Sequence, residues 1–443
     1  MSETGARSFG TEAALLAVAR FVTVAALFGV QVIAARVLGP EALAAAAVGQ
    51  TIGMIAALVA NGGLNIASIY VLQREKAARS VIVPKVSALL VAACTISIVL
   101  VLAVGPSVVG WVIGDVDPWL VVAAAGMAAA IIAFEVTGAI LLGLGRSGSF
   151  TRMELLRGLG SLAAVAALLL GPWASESGFV VGLGLGYAMA AVLGLLATQR
   201  AGVPIAPRYD AAFSRTALAF GLRGQVGNVL QFLGVRLDLL IVPALVDLRA
   251  AGIYVVAVRM ADVVGQVATA VSSLVFPRVA GHDDARSTIL TERATRLTLV
   301  AVAIPALVIG IGAEPILRLV FGEVYAEGTG ALIVLLIAMV PLSLTRIIAA
   351  DLKGRGRPGL VSWASLLSAV ATVVLDLALV PALGIGGAAV ASLLAYAAGA
   401  IAILLLYRWV TGGRLSALVP TVADVRDLVQ SGAALARAAR RSA

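Results

Sequence analysis

Along most of the chain, apolar positions continue for about twenty residues at a time, without the polar face that a helix or strand on a soluble surface carries. Twelve such runs are legible, at approximately 13–36, 41–62, 83–106, 118–142, 155–172, 178–198, 217–245, 250–277, 294–316, 329–350, 360–382 and 386–409. At 1.5 Å per residue, about twenty residues cross a hydrocarbon core of about 30 Å, so each run is predicted to be a transmembrane helix. The apolar stretch from 213 to 245 is too long for one straight crossing. Gly221, Gly224 and Gly227, three apart, predict either a bend near its start or first turns that lie on the membrane surface.

Composition agrees with the pattern. Of 443 residues, 61% are hydrophobic and 12% charged, against about 25% charged in a soluble globular domain, and the mean hydropathy is +1.07. The expected fold class is an all-α polytopic membrane protein of about twelve spans. With these spans, 25 of the 32 Lys and Arg fall in the N-terminus, the loops after even-numbered spans and the tail, counted with the span ends beside them. Arg36, Arg249 and Arg318 alone occupy the opposite loops. The positive-inside rule then predicts a multi-pass protein of the cytoplasmic membrane with both termini in the cytoplasm. The five Trp fall near span ends, as an interfacial belt requires. The net charge of +9 therefore reports topology, and no nucleic-acid partner is implied.

Catalytic chemistry finds little purchase. The single Cys94 lies in an apolar span and the single His282 in a basic loop, so no disulfide framework and no Cys/His metal site is expected. No phosphate-cradling glycine loop with its lysine is present. The outer loops are short, leaving no room for a catalytic domain on that side, and Glu3 and Glu12 ahead of the first span argue against a cleaved signal peptide. The chain is not expected to be an enzyme or to carry a cofactor.

The chain also repeats itself. LLGLGRSG (141–148) closes the fourth span and LKGRGRPG (352–359) the tenth, both fitting L-x-G-x-G-R-x-G at an offset of 211; VLGPEALA (37–44) and LVDLRAAG (245–252) hold equivalent places at an offset of 208. Two matches at nearly one offset point to duplication, giving two pseudo-symmetric six-helix lobes, residues 1–199 and 213–410. They are joined by a cytoplasmic linker, RAGVPIAPRYD and its neighbours (200–212), and followed by a basic tail, 411–443. Because six is even, the repeats are parallel, and a central cavity between the lobes would suit alternating access.

AARVLGPEALA after the first span, DLLIVPALVDLRAAGIYVVAVRMADVV across spans seven and eight, and DLKGRGRPG closing span ten resemble the polysaccharide-repeat-unit flippases. Their superfamily also contains multidrug and toxin extrusion antiporters and lipid II flippases. The resemblance runs from about residue 13 to 409. It departs from the lipid II flippases in span number, twelve where that family is similar to a fourteen-span pattern. It implies a flippase for a polyprenyl-diphosphate-linked oligosaccharide in cell-surface or exopolysaccharide synthesis, with glycosyltransferases and a polymerase as pathway partners. A cation-coupled drug exporter of the same superfamily, a glycan polymerase or ligase, and a scaffold that transports nothing are the rivals. Arginines that equal the acids in number at membrane depth and only 5% aromatic residues argue against the first, and the short outer loops against the second.

A charge at the bilayer centre costs about 2.5–3.5 kcal/mol, so a retained one faces protein or a wet cavity. Arg20, Arg236, Arg259 and Arg346 lie inside spans, with Glu135, Asp238, Asp262 and Asp376 at comparable depth. Counting from the turn near 247–249 puts Arg236, Asp238, Arg259 and Asp262 in one layer about 5 Å thick, outward of the midplane. Arg259 and Asp262, three apart, share a face and can pair, whereas Arg236 and Asp238 point about 200° apart. Two readings follow: structural ion pairs that set helix packing, or a substrate site in which arginines fork onto the diphosphate. Arg20 and Arg346 join the substrate candidates, with snorkelling to the cytoplasm as the alternative. Glu135 and Asp376 are candidates for coupling to H⁺ or Na⁺, or else packing partners. Gln31, Gln50, Asn61, Gln225, Asn228, Gln231 and Gln266 offer sugar contacts or inter-helix hydrogen bonds. Val422, Val425, Leu428 and Val429 at helical spacing, before Arg437, Arg440 and Arg441, suggest a tail helix lying on the anionic membrane surface, with a solvated tail as the alternative.

Overall fold

A computed structural model describes residues 3–114, 117–281, 283–426 and 430; of these, the side chains of 3–17, Lys76, Pro277 and Ala280 are not described. His282, Leu428, Val429 and the terminal arginines 437, 440 and 441 lie outside these bounds. The described residues are helical nearly throughout: α1 (Glu3–Asn61), α2 (Leu64–Arg74), α3 (Arg79–Ile113), α4 (Pro118–Gly143), α5 (Ser147–Leu169), α6 (Glu176–Gln199), α7 (Ala211–Arg236), α8 (Asp238–Leu245), α9 (Leu248–Ala280), α10 (Asp284–Ile311), α11 (Ala313–Val320), α12 (Thr329–Gly354) and α13 (Pro358–Thr411).

Nine helical stretches among them are long and apolar enough to span a bilayer. Two hold two spans each. The first apolar stretch, Val18–Asn61, and α13 run for 44 and 54 residues, about 65 and 80 Å at helical rise, and each breaks at a glycine in a non-helical conformation, Gly39 (φ 76°) and Gly384 (φ 56°). A side chain is strained at such angles and glycine is not. With these breaks counted, and with α5, whose 23 residues reach about 35 Å despite Arg152, Glu154 and Arg157, the described residues hold twelve spans. All five Trp are 65–70% exposed at span ends, where rings that are apolar with one polar edge sit at the bilayer interface.

The long seventh stretch is not bent at its glycines. The helix runs through Gly221, Gly224 and Gly227 and tightens at Leu237, between α7 and α8, where Leu240 donates to Leu237 O. Gly221 has another use. A Cβ there would stand 2.7 Å from the carbonyl oxygens of Gly62 and Gly63, so two backbones meet where side chains would separate them. The same device joins α5 and α6. Gly182, Gly186, Ala190 and Gly194 repeat every four residues along α6, and a Cβ on Gly186 would lie 2.6 Å from Ser161 N.

The repeated motif folds the same way twice. Arg146 N donates to Leu141 O at 2.8 Å and Arg357 N to Leu352 O at 2.9 Å, with Gly145 (φ 77°) and Gly356 (φ 75°) left-handed just after each helix. This is the helix stop that glycine favours, closed by a bond from beyond the turn to the last helical turn.

Packing divides the chain into two compact units. The first runs to Val229 and includes Asp247–Val255; the second comprises Leu230–Val246 and what is described from Val256 onward. In the first, residues 200–210 dock on the start of α3, with Arg208 N bonded to Pro84 O at 2.9 Å and Lys85 paired with Asp210 at 2.6 Å. In the second, the described part of the tail begins by folding back on the bundle, and residues 422–426 are helical, with Val422 81% and Val425 40% exposed. A 3₁₀ turn, Leu415–Leu418, buries Leu418 against Ile348, Leu352, Ile403 and Tyr407. Arg296 on α10 donates to Ala417 O at 2.7 Å and to Asp424 at 3.2 Å.

Candidate functional site

The ionic layer expected near the α8–α9 turn is present in the second unit, and α12 and α13 contribute to it. Arg236, the last residue of α7, crosses to Asp262 on α9 at 2.8 Å. Arg259, one turn before Asp262, approaches the same carboxylate at 4.0 Å. All three side chains keep only 13–17% of their surface exposed. Arg346 on α12 turns inward: it donates to Gly265 O at 2.9 Å and Thr269 Oγ1 at 3.0 Å. Its stem therefore runs to α9 and does not snorkel to the membrane surface.

The 200° between Arg236 and Asp238 decides the other half of the site. With Arg236 aimed at α9, Asp238 is carried to the opposite side, 2% exposed, with Oδ1 accepting from Leu239 N. There it comes within electrostatic reach of Asp376 on α13. Asp376 is fully buried, and neither of its oxygens has a hydrogen-bond partner. One turn earlier, Thr372 Oγ1 donates to Gly234 O at 3.0 Å, and a Cβ on Gly234 would approach Ala369 to 3.3 Å; these contacts hold α7 and α13 close. Tyr396, also on α13, senses Asp238, Arg236, Asp262 and Arg346 alike. Six of the eight candidates thus converge. Arg236 and Arg259 face the carboxylate of Asp262, while Asp238 lies within electrostatic reach of Asp376.

The remaining two belong to the first unit. Arg20 lies exposed on α1. Glu135 on α4 accepts hydrogen bonds from Asn61 Nδ2 and, at 3.4 Å, from Asn65 Nδ2. Gln225 donates to Leu58 O at 2.7 Å, so two of the polar set, Asn61 and Gln225, make inter-helix hydrogen bonds.

One intramembrane arginine was missed. Arg157 forks onto Glu154 at 2.8 Å, approaches the Tyr187 hydroxyl at 3.4 Å and lies 5.4 Å over the Phe134 ring. The apolar run of the fifth span starts at about residue 155 and so leaves Arg157 at its edge. α5 begins at Ser147, which places Arg157 about 15 Å along it. The signal was available: Glu154 and Arg157, three apart, share a helix face.

A bundle of spanning helices in two units is also the fold of solved membrane transporters. The chain superposes on a MATE multidrug resistance transporter of the MOP superfamily in its inward-facing conformation, with a TM-score of 0.70 and 18% identity over 88% of this chain and 94% of that one. It also superposes on lipid II flippase MurJ in an inward closed conformation, at 0.67 and 14% over 89% and 87%. A MOP superfamily transporter from Pyrococcus furiosus superposes at 0.65 and 15% over 90% and 95%. Sequence carries the assignment further. The family described as lipid II flippase MurJ matches residues 33–426, and the chain belongs to that family. It is a transporter and not an enzyme. No curated protein matches it significantly in sequence. The resemblance to repeat-unit flippases therefore holds for the superfamily, while the family shown is that of the lipid II flippases.

Proposed function

We propose that this protein carries a polyprenyl-diphosphate-linked saccharide from the inner to the outer leaflet of the cytoplasmic membrane by alternating access, with both termini cytoplasmic. The observation that carries the reading is the pair of membrane-depth arginines, Arg236 and Arg259, gathered on the single carboxylate of Asp262. A guanidinium donates two parallel bonds to phosphate, and two guanidiniums suit a diphosphate. Asp262 keeps them ordered and yields when the diphosphate arrives. An organic cation would meet repulsion at the same place. Arg346, anchored on α9, supports the layer, and Arg20 is the corresponding phosphate contact in the first unit. Asp238 and Asp376 form the coupling element. Two buried carboxylates repel when both are charged, and a proton or Na⁺ removes the repulsion. Glu135, held by two asparagines, is the second coupling candidate.

Family membership makes lipid II the first cargo to test. A lipid-linked oligosaccharide repeat unit is the second, favoured by the twelve-span architecture and the segments quoted above. Proteoliposomes carrying fluorescent lipid II or a fluorescent polyprenyl-diphosphate oligosaccharide, with an impermeant quencher outside, measure both. Movement is expected for one of them. Arg236→Ala and Arg259→Ala should each abolish it, and Asp376→Asn should leave movement that no longer responds to a Na⁺ or proton gradient. Full transport by both arginine variants would end the headgroup assignment, and a gradient response surviving in Asp376→Asn would end the coupling assignment.

A further inference from the structure

Inside the second unit, on the side of the Asp238–Asp376 pair toward the start of α13, lies a small polar cavity of about 20 Å³. α7 contributes Gln231 and Gly234 to its wall, α12 Thr345, and α13 Ser365, Ser368 and Tyr396. A cavity of about 10–15 Å³ or more holds a water when two to four polar groups meet it. Here those groups are present. Thr345 Oγ1 and Ser368 Oγ donate to the carbonyls of Pro341 and Ala395, at 3.0 and 3.1 Å, and keep lone pairs for the protons of a water. The Gln231 amide and the Ser365 and Tyr396 hydroxyls can both donate and accept. One residue separates the cavity from the pair. On α13, Asp376, Thr372, Ser368 and Ser365 are four, four and three apart, so they share a face of the helix. Across from them Gly234 lies one turn before Asp238. Thr372 stands at this level, its hydroxyl 3.0 Å from both Gly234 O and Ser368 O. Beyond it Asp376 is fully buried, and neither carboxylate oxygen has a hydrogen-bond partner. The charged and titratable groups around Asp376 are Asp238 on α8, with Arg236, Asp262, Arg346 and Tyr396 of the same layer. Among the described residues no carboxylate lines the cavity itself. A metal cation would find no countercharge there, whereas a proton needs only water and hydroxyls.

We propose that this cavity holds water and forms the proton route to Asp376 from the side of the membrane where α13 begins. On the reading of Asp376 as the coupling carboxylate, on which this assignment rests, the ion is a proton and the cavity is its path. A proton reaching the cavity water passes to a lone pair of the Thr372 hydroxyl. Thr372 gives its own proton to a carboxylate oxygen of Asp376 and then turns back to Gly234 O. The carboxylate becomes a neutral acid, its repulsion of Asp238 ends, and one proton has left the solution. Na⁺ would have to travel bodily through a space that admits one water. Asp376 is eighteen residues from Pro358, about 27 Å along the helix, and Ser365 seven, about 10 Å. The cavity therefore bridges the middle of the distance between the start of α13 and the buried carboxylate.

Proteoliposomes of the full-length protein with a pH-sensitive dye in the lumen, loaded with fluorescent lipid II or the fluorescent polyprenyl-diphosphate oligosaccharide, report proton entry and cargo movement together. Valine and threonine fill the same volume, and only threonine keeps a hydroxyl. Ser365→Val with Ser368→Val should slow proton entry about tenfold or more, the rate equivalent of one lost hydrogen bond, whereas Ser365→Thr with Ser368→Thr should retain it. Proton entry at the wild-type rate in the valine pair would overturn the proposal. So would cargo movement that follows an imposed Na⁺ gradient and ignores a proton gradient. Asp376→Asn separates the two levels: proton entry surviving in it ends the coupling reading, while entry lost in it but kept in the valine pair ends the route alone. Should the valine pair fail to purify, hydroxyl-radical footprinting of the wild type decides. Tyr396, 5% exposed, should be oxidised well above Tyr407, which is 1% exposed and sits in an apolar core, because only Tyr396 has water against it. Equally low oxidation of the two would overturn the proposal.

Discussion

Asp262 is shared by Arg236 and Arg259, so the two possible deletions are unequal. Removing one arginine leaves Asp262 its second partner, while removing the carboxylate leaves two guanidiniums side by side. Breaking a buried pair from one side costs about 3–5 kcal/mol, and Asp262→Ala should reach that range while Arg236→Ala falls below it. Equilibrium unfolding in mixed micelles would rank them, and equal costs would show that Arg259 does not share the carboxylate. Of this layer, the grouping of Arg236, Asp238, Arg259 and Asp262 is what rise per residue, fixed by the backbone, leads one to expect, whereas Arg346 and Asp376 join it from α12 and α13. Partner choice does not follow from rise. The 200° between Arg236 and Asp238 shows that they diverge, but which neighbour each meets depends on how α9 and α13 are rotated, and no local pattern contains that.

At the scale of elements, small residues did what hydropathy could not show. The four-residue repeat Gly182, Gly186, Ala190 and Gly194 is readable on the page, yet a hydropathy count treats it as four ordinary apolar positions. Its meaning is close approach, since helices in lipid gain little from burying one apolar surface on another and associate by tight packing. Gly186→Ala is expected to cost about 1–3 kcal/mol through overpacking against Ser161, whereas Gly148→Ala, with open space around it, should be close to neutral. Thermal unfolding of the two variants tests the contrast. Three glycines in a long span suggest a bend near its start, or first turns on the membrane surface, and at Gly221 the missing side chain serves contact with Gly62 and Gly63.

At the scale of the molecule, the tail and the orientation are open to measurement. Asp424 is held below the usual carboxylate range by the Thr421 hydroxyl and amide, with Arg296 adding to them. A carboxyl lowered on folding contributes stability that is present above its unfolded value, about 3.9, and is lost as pH falls through its folded one. Hydrogen-exchange protection of Ser416–Asp424 should therefore hold from neutrality to about pH 4 and decline below it, and Asp424→Asn should remove that protection at every pH. Orientation is tested by thiol labelling of intact cells on a Cys94→Ser background. Val324→Cys should react with an impermeant reagent from outside, and Ala206→Cys only after lysis. The reverse pattern would invert the proposed topology.

What the sequence alone determined follows from rules that act over a few residues. Twenty apolar residues cannot leave a bilayer core, a left-handed glycine stops a helix, and a duplicated L-x-G-x-G-R-x-G makes the same turn at Arg146 and at Arg357. Span number and the doubling were therefore already written in the chain. The tertiary structure alone decided that Asp238 comes within electrostatic reach of Asp376, that Arg346 turns onto α9, that Leu418 folds back into a core and that Arg157 lies well inside its helix. Each of these depends on the rotation and ending of helices far apart in sequence. Many such arrangements satisfy the same hydropathy, and packing together with the cost of burying charge selects among them.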